Sequence, residues 1–173
     1  MGKTMTSSLL VLGGARSGKS AYAERRAEAI GGRLRYVATA QALDEEMTAR
    51  IARHRADRDA RWRTIEAPLD LPGAIAAHAA VDAVLLVDCL TLWTSNLLLD
   101  GADPADEADR LVAAMHVAPG AIILVANEVG LGIVPDNALA RRFRDAAGRL
   151  NQSVAAAVAE VQFVAAGLPL RLK

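Results

Sequence analysis

"LVLGGARSGKSAYAERRA", residues 10–27, contains Gly13, four residues, then Gly18, Lys19 and Ser20, the spacing G-x-x-x-x-G-K-[ST]. An apolar run at 9–12 precedes it and a helix-forming segment at 21–30 follows, so strand, loop and helix stand in the order a phosphate-binding loop requires. Glycines at both ends let the backbone curl around an anion with its N–H groups inward, and the following helix adds the positive end of its dipole. Lys19 would reach the terminal phosphates as a point charge, and the Ser20 hydroxyl would ligate a bridging Mg2+. The bland alternative is a glycine-rich turn that binds nothing.

Working outward, the composition bounds the partners. At 173 residues the chain suits one domain, which at this size buries roughly 70% of its unfolded surface. Twenty Lys plus Arg balance twenty Asp plus Glu, so neither nucleic acid nor an anionic membrane is expected as a partner. Cys89 is the only cysteine; an internal disulfide and a cysteine-based zinc site are therefore excluded, and a reducing, cytoplasmic setting is expected. Cys89 itself reads as a small buried hydrophobe at a strand end. Residues 1–8 are short and polar, without a signal peptide's apolar core, and are expected to be a disordered leader to a domain spanning 9–173. Apolar stretches such as 81–87 fall far short of the roughly 20 residues that span a bilayer, so no membrane insertion is expected.

Short apolar runs at 9–12, 34–38, 83–87, 121–126 and 161–165 alternate with helical candidates at 19–30, 43–57, 71–78, 90–99, 104–115 and 138–160. Strands apolar on both faces, interleaved with helices, predict an α/β fold with a mostly parallel sheet flanked by helices. Gly31-Gly32 supplies a stop for the first helix. The tail 168–172, with Pro169 inside it, predicts an edge strand at the C-terminus. In open α/β sheets the ligand sits beyond the carboxyl ends of the strands, where Thr39, Asp88, Asn127 and Glu128 fall. Asp88, an acid closing an apolar strand next to the loop, is the natural second Mg2+ partner; its alternative is an ordinary helix N-cap.

Two further patches bear on chemistry. In "LDEEMTARIARHRADRDARWRTIE", residues 43–66, a helix places Arg50, His54 and Arg58 at i, i+4 and i+8, beside a stripe of Met47 and Ile51. Flanking cations disfavour imidazolium, and a neutral imidazole is a competent nucleophile toward phosphorus. A solvated charged helix with an idle histidine is the alternative. His78 and His116 sit in alanine-rich segments and read as structural. In residues 127–152, Asp136 or Asn137 can cap a helix crowded by Arg141, Arg142, Arg144 and Arg149, which either meet an anionic substrate or a neighbouring subunit or form a solvated face.

"GGARSGKS", "YVATA", "RIARHRADRDARWRTIE", "VDCLTLWTSNLL" and "NEVGLGIVPDNALARRFRDAAGRLNQ", in this order and over nearly the whole chain, resemble the bifunctional adenosylcobinamide kinases/adenosylcobinamide-phosphate guanylyltransferases of cobalamin biosynthesis. The resemblance implies a RecA-like P-loop NTPase domain that first phosphorylates adenosylcobinamide from ATP or GTP, with Lys19, Ser20 and Mg2+ at the transferring group. It implies that His54 then takes GMP from GTP and passes it to adenosylcobinamide phosphate. Carried over position by position, Gly13, Gly14, Ala15, Arg16, Ser17, Gly18, Lys19, Ser20, Ala38, Thr39, Ala40, Arg55, Ala56, Asp57, Arg58, Glu66 and Asp88 would hold the nucleotide, and Ser20 and Asp88 the metal. The family's homotrimer is implied as well. A P-loop kinase without nucleotidyl transfer would leave His54 without a task. A non-enzymatic nucleotide switch would usually carry N-K-x-D where this chain has Asn127, Glu128, Val129 and Gly130.

Overall fold

The computed structural model describes residues 7–42, 44–56 and 58–173; the side chains at 46, 50 and 53–55 lie outside that description. The elements run β1 (Ser8–Gly13), α1 (Lys19–Ile30), β2 (Arg33–Ala38), α2 (Glu45–Ala56), β3 (Trp62–Glu66), α3 (Leu71–His78) and β4 (Ala83–Asp88), then α4 (Leu90–Asp100), α5 (Pro104–Val117), β5 (Ala121–Asn127), α6 (Ala138–Ala157), β6 (Glu160–Ala165) and β7 (Leu168–Arg171). Among the described residues the strands form one sheet in the order β3-β2-β4-β5-β1-β6-β7. Every pairing is parallel except β7 on β6.

The central strands are apolar throughout because helices cover both faces, and the strand period of two divides their side chains between two cores. Leu10, Leu85, Val87, Ile122 and Leu124 pack with Leu71, Trp93, Leu111 and Val154 of α3–α6. Their neighbours Leu9, Val11, Val84, Leu86 and Ile123 face the other way, against Ala23 and Ala27 of α1. Each such buried Leu, Ile or Val stabilises the fold by about 1.5–3 kcal/mol. Trp93 is fully buried, and its indole N–H donates to the Leu69 carbonyl at 2.7 Å, so the ring carries no unsatisfied donor into the core. Asp44, Asp70, Asp103 and Asn137 each accept a first-turn N–H from α2, α3, α5 and α6 respectively, which sets where those helices begin.

The structure corrects the sequence reading at five places. β3 was not anticipated; it is an edge strand whose Arg63 and Glu66 are exposed, and its mixed pattern hides among the charges that precede it. The last helix ends at Ala157, not 160: Val158 is extended, and Glu160 opens β6, where the Arg26 guanidinium holds it bidentately at 2.9 and 2.7 Å. Pairing with β1 here overrides the helix propensity of the alanine run. Ser8, assigned to a leader, opens β1, and the Ser7 carbonyl accepts from the Ile122 N–H. β4 is separated from β1 by β5, so Asp88 closes a strand one place removed from the phosphate loop. Finally, α2 ends at Ala56, so Arg58 does not continue a helical face from 50 and 54. The expected ends of that helix, Leu43 and Asp57, lie outside the described residues.

Candidate functional site

The loop between β1 and α1 is shaped by backbone approach. A Cβ on Gly13 would stand 2.5 Å from the Ser17 Oγ and 2.6 Å from the Val164 carbonyl oxygen, so only glycine fits. Gly18 has φ of +91° and caps α1 without a side-chain hydrogen bond, so the positive end of that helix's dipole faces the loop. The hairpin between β6 and β7 braces the outside: the Gly167 N–H donates to the Ser17 carbonyl at 2.7 Å. Lys19 folds back over the loop, Nζ donating to the Gly14 carbonyl at 3.2 Å, while Ala15 and Arg16 are exposed on the outer turn.

Beyond the carboxyl ends of the strands lies a cavity of about 710 Å³. Of the residues expected to bind nucleotide or metal, Lys19, Ser20, Ala38, Ala40, Arg58, Glu66 and Asp88 line it, together with the apolar side chains of Met47, Ile51 and Ala52 on α2. Thr39 does not join them: it is fully buried beneath the site, where its hydroxyl donates to the Cys89 carbonyl at 2.7 Å and accepts the Cys89 N–H at 2.9 Å. It ties the end of β2 to the end of β4. The backbone of His54 lies in α2, one turn beyond Ile51, and Ala56 is exposed at that helix's end. The side chains of His54 and Arg55, and all of Asp57, fall outside the described residues.

Asp88 is released from the capping role that sequence allowed it. Across a cis peptide bond Cys89 takes the N-cap of α4, its Sγ accepting the Leu92 N–H. Burial, and secondarily the Asp88 carboxylate, push the Cys89 thiol up to about 11, so it stays protonated and unreactive. Asp88 instead accepts a hydrogen bond at Oδ2 from the Tyr36 hydroxyl, 3.1 Å away. Burial chiefly, with the nearby carboxylate adding to it, raises the Tyr36 phenol far above its ordinary range and keeps it a donor. Arg58 sits over the same ring, Cζ 3.6 Å from its centroid, and its Nη1 is buried without an acceptor among the described residues. Asn127, also lining the cavity, has a buried Oδ1 without a partner among the described residues, while its backbone N–H donates to Thr91 and its carbonyl accepts from Asn151. Asn127 was expected at this end of the sheet from its place after a strand, whereas Tyr36 was not expected as a site residue; its polar aromatic ring within "YVATA" is the signal that points to it.

The donors present suit magnesium. Ser20 and Asp88 offer hard oxygen ligands in the same cavity as Lys19. Among the described residues no cluster of three or more His, Cys, Asp or Glu forms a dedicated cage, and Mg2+ is characteristically held by one or two protein oxygens plus substrate phosphates. The arginine patch lies elsewhere. Arg141 donates to the Pro135 and Asp136 carbonyls and pins the loop before α6; Arg144 pairs with Asp145; Arg142 and Arg149 line a separate groove of about 330 Å³ beside Asp103 and Asp109. Also among the described residues, no helix is long and apolar enough to cross a membrane.

Comparison with known proteins places this geometry in context. Residues 9–172 match the family model described as cobinamide kinase / cobinamide phosphate guanyltransferase. The chain is 52% identical to the bifunctional adenosylcobalamin biosynthesis protein CobP of Pseudomonas aeruginosa, over 95% of this chain and 96% of that one. It is 46% identical to the bifunctional adenosylcobalamin biosynthesis protein CobU of Salmonella typhimurium, over 95% and 99%. Among solved structures it resembles the RadB recombinase, with a TM-score of 0.54 at 14% identity over 91% of this chain and 73% of that one. It also resembles the flagellar accessory protein FlaH of Methanocaldococcus jannaschii, with a TM-score of 0.51 at 13% identity over 91% and 70%. These likenesses show a RecA-like fold.

Proposed function

The chain belongs to the cobinamide kinase / cobinamide phosphate guanyltransferase family, and from that premise we propose that the single cavity at the strand ends serves both reactions. The enzyme is a bifunctional kinase and guanylyltransferase. In the kinase reaction the hydroxyl of the aminopropanol arm of adenosylcobinamide attacks the γ-phosphorus of ATP or GTP; an O–P bond forms as the bond to the β-phosphate oxygen breaks, and the nucleoside diphosphate leaves. Lys19 and the positive end of the α1 dipole stabilise the charge on the transferring group. Ser20 and Asp88 would hold Mg2+, which would supply charge neutralisation for phosphoryl transfer. Ala38, Ala40, Arg58 and Glu66 border the rest of the nucleotide.

In the second reaction an imidazole nitrogen of His54 attacks the α-phosphorus of GTP, forming an N–P bond as pyrophosphate departs. A phosphate oxygen of adenosylcobinamide phosphate then takes the guanylyl group, the N–P bond breaks, and adenosylcobinamide-GDP and the imidazole are released. The observation that carries the proposal is the convergence of Lys19, Ser20 and Asp88 on a cavity that is also lined by Met47, Ile51 and Ala52 of α2, the helix whose backbone includes His54. A homotrimer in the cytoplasm completes the reading. Its support is the open edge of β7, where Leu168 and Leu170, with Leu172 just beyond, are 73%, 62% and 58% exposed, and its check is the mass of the protein in solution.

Intact mass spectrometry after incubation with GTP and Mg2+ tests the histidine step. The expected result is a GMP-sized, acid-labile and alkali-stable adduct that is absent from His54→Ala, which still phosphorylates adenosylcobinamide. Without an adduct, and with the kinase reaction intact, the histidine pathway is wrong.

A further inference from the structure

We propose that Tyr36 is the positioning residue of this site, holding Asp88 through its hydroxyl and Arg58 through its ring. The inference rests on the reading of Asp88 as a magnesium ligand and Arg58 as a nucleotide contact. Tyr36 is 5% exposed and reaches the cavity from β2. In the parallel register Ala38 stands opposite Asp88 and Tyr36 opposite Leu86, so the tyrosine lies two residues back along the neighbouring strand. That offset lets a side chain of tyrosine's length reach forward to the carboxylate. Trp62 of β3 meets the ring edge-on, with centroids 6.3 Å apart and planes at 82°, and so fixes its tilt.

The two contacts do different things. A carboxylate has two oxygens; with Oδ2 tied to the Tyr36 hydroxyl at 3.1 Å, rotation about the carboxylate's last bond is restricted before any cation arrives. Metal binding then loses less conformational freedom, which is the advantage of preorganisation. Arg58 sits over the ring with Nη2 3.5 Å from the Thr64 Oγ1, so Nη1 is held in place and, buried without an acceptor among the described residues, requires one from elsewhere. A ligand phosphate oxygen satisfies it. Arg58 follows directly on the segment that carries His54. Tyr36 thereby joins the metal end of the site to the chain that returns from α2.

Because one contact uses the hydroxyl and the other the ring, two variants of the full chain separate them. Tyr36→Phe keeps the ring and loses the donor. Mn2+ binding in the presence of a non-hydrolysable GTP analogue, read by electron paramagnetic resonance, should weaken roughly tenfold; metal-free binding of a fluorescent GTP analogue should be unchanged, and excess Mg2+ should restore kcat. Tyr36→Leu should show the same metal defect and also weaken metal-free nucleotide binding severalfold, by loss of the cation–π seat. If the leucine variant does not fold, Tyr36→Phe carries the metal test alone, with its melting temperature as the control. Asp88→Asn separates the two levels of the claim. Unchanged Mn2+ affinity in Asp88→Asn overturns the metal assignment and this inference with it. Weakened Mn2+ affinity in Asp88→Asn with unchanged affinity in Tyr36→Phe overturns this inference alone. A Tyr36→Phe defect that persists undiminished on the Asp88→Asn background also overturns it, because Tyr36 would then not act through Asp88.

Discussion

On one flank of the cavity, the loop at 13–20 is held by main chain: Gly13 wedged against Ser17 and Val164, Gly18 at positive φ, and the β6–β7 turn bonded to Ser17 from outside. On the other, the ends of β2, β3 and β4 are held by side chains: the Tyr36 hydroxyl on Asp88, Arg58 on the Tyr36 ring, and Thr39 on the Cys89 backbone. A cradle made of N–H groups recognises any phosphate and fails as a whole when its shape changes. A wall of individual side chains can lose one interaction and keep the rest. The first arrangement suits what the two reactions share, the nucleotide's phosphates; the second suits what distinguishes them.

That difference is sharpened most by Lys19→Ala. If the backbone flank serves both chemistries, both the kinase rate and formation of the guanylylated protein should fall roughly 10²–10³-fold, the loss typical of removing a donor aimed at developing charge. Parallel rate assays check this, and a loss confined to one reaction would break the comparison. Gly13→Ala comes next. Its Cβ contacts of 2.5 and 2.6 Å involve a carbonyl oxygen as well as a serine side chain, so the backbone must shift. Overpacking of this kind costs about 1–3 kcal/mol, a fall on the order of 2–10 °C in Tm at this chain length. Nucleotide binding should weaken in step, as calorimetry and thermal melts on one preparation would reveal.

The same difference explains what could be read from sequence. A backbone cradle leaves a spacing signature, because glycine is obligatory where no Cβ fits, and residues 13–20 announced themselves. The β4 and β5 runs were equally plain, since a strand buried on both faces has little polar content. Side-chain constellations leave no such pattern. Tyr36 meets Asp88 only through the β2–β4 register, and Arg58 reaches the ring only because α2 stops at Ala56. The helical spacing of 50, 54 and 58 reads as one face only if the helix continues through 58, and α2 ends at Ala56. Thr39 illustrates the converse: its place at a strand end made it a candidate contact, but burial turned its hydroxyl inward. β3 was hidden because an edge strand is half-solvated and resembles its charged surroundings.

The smallest expected effect concerns the foot of the backbone flank, where Arg26 of α1 grips Glu160 at the start of β6, the strand that runs beside β1. The Arg26 guanidinium holds the Glu160 carboxyl down at about 2, against an ordinary 4.5. A carboxyl lowered in the folded state stabilises the fold fully above its unfolded value, and that stabilisation disappears as the pH falls from 4.5 toward 2. With side chains 34% and 24% exposed, solvent screening reduces the contribution to about 1–2 kcal/mol. Urea unfolding of wild type and Glu160→Gln should therefore differ by this amount at pH 6, by less as the pH falls below 4.5, and converge only at about pH 2 and below, the subtraction cancelling other acids. Persistence of the full gap at low pH would mean that the pair contributes by packing rather than charge. If Glu160→Gln also weakened GTP binding at pH 7 beyond its cost in stability, the β1–β6 pairing would belong to the phosphate cradle itself, and the backbone flank would extend from the loop to the opposite end of the sheet.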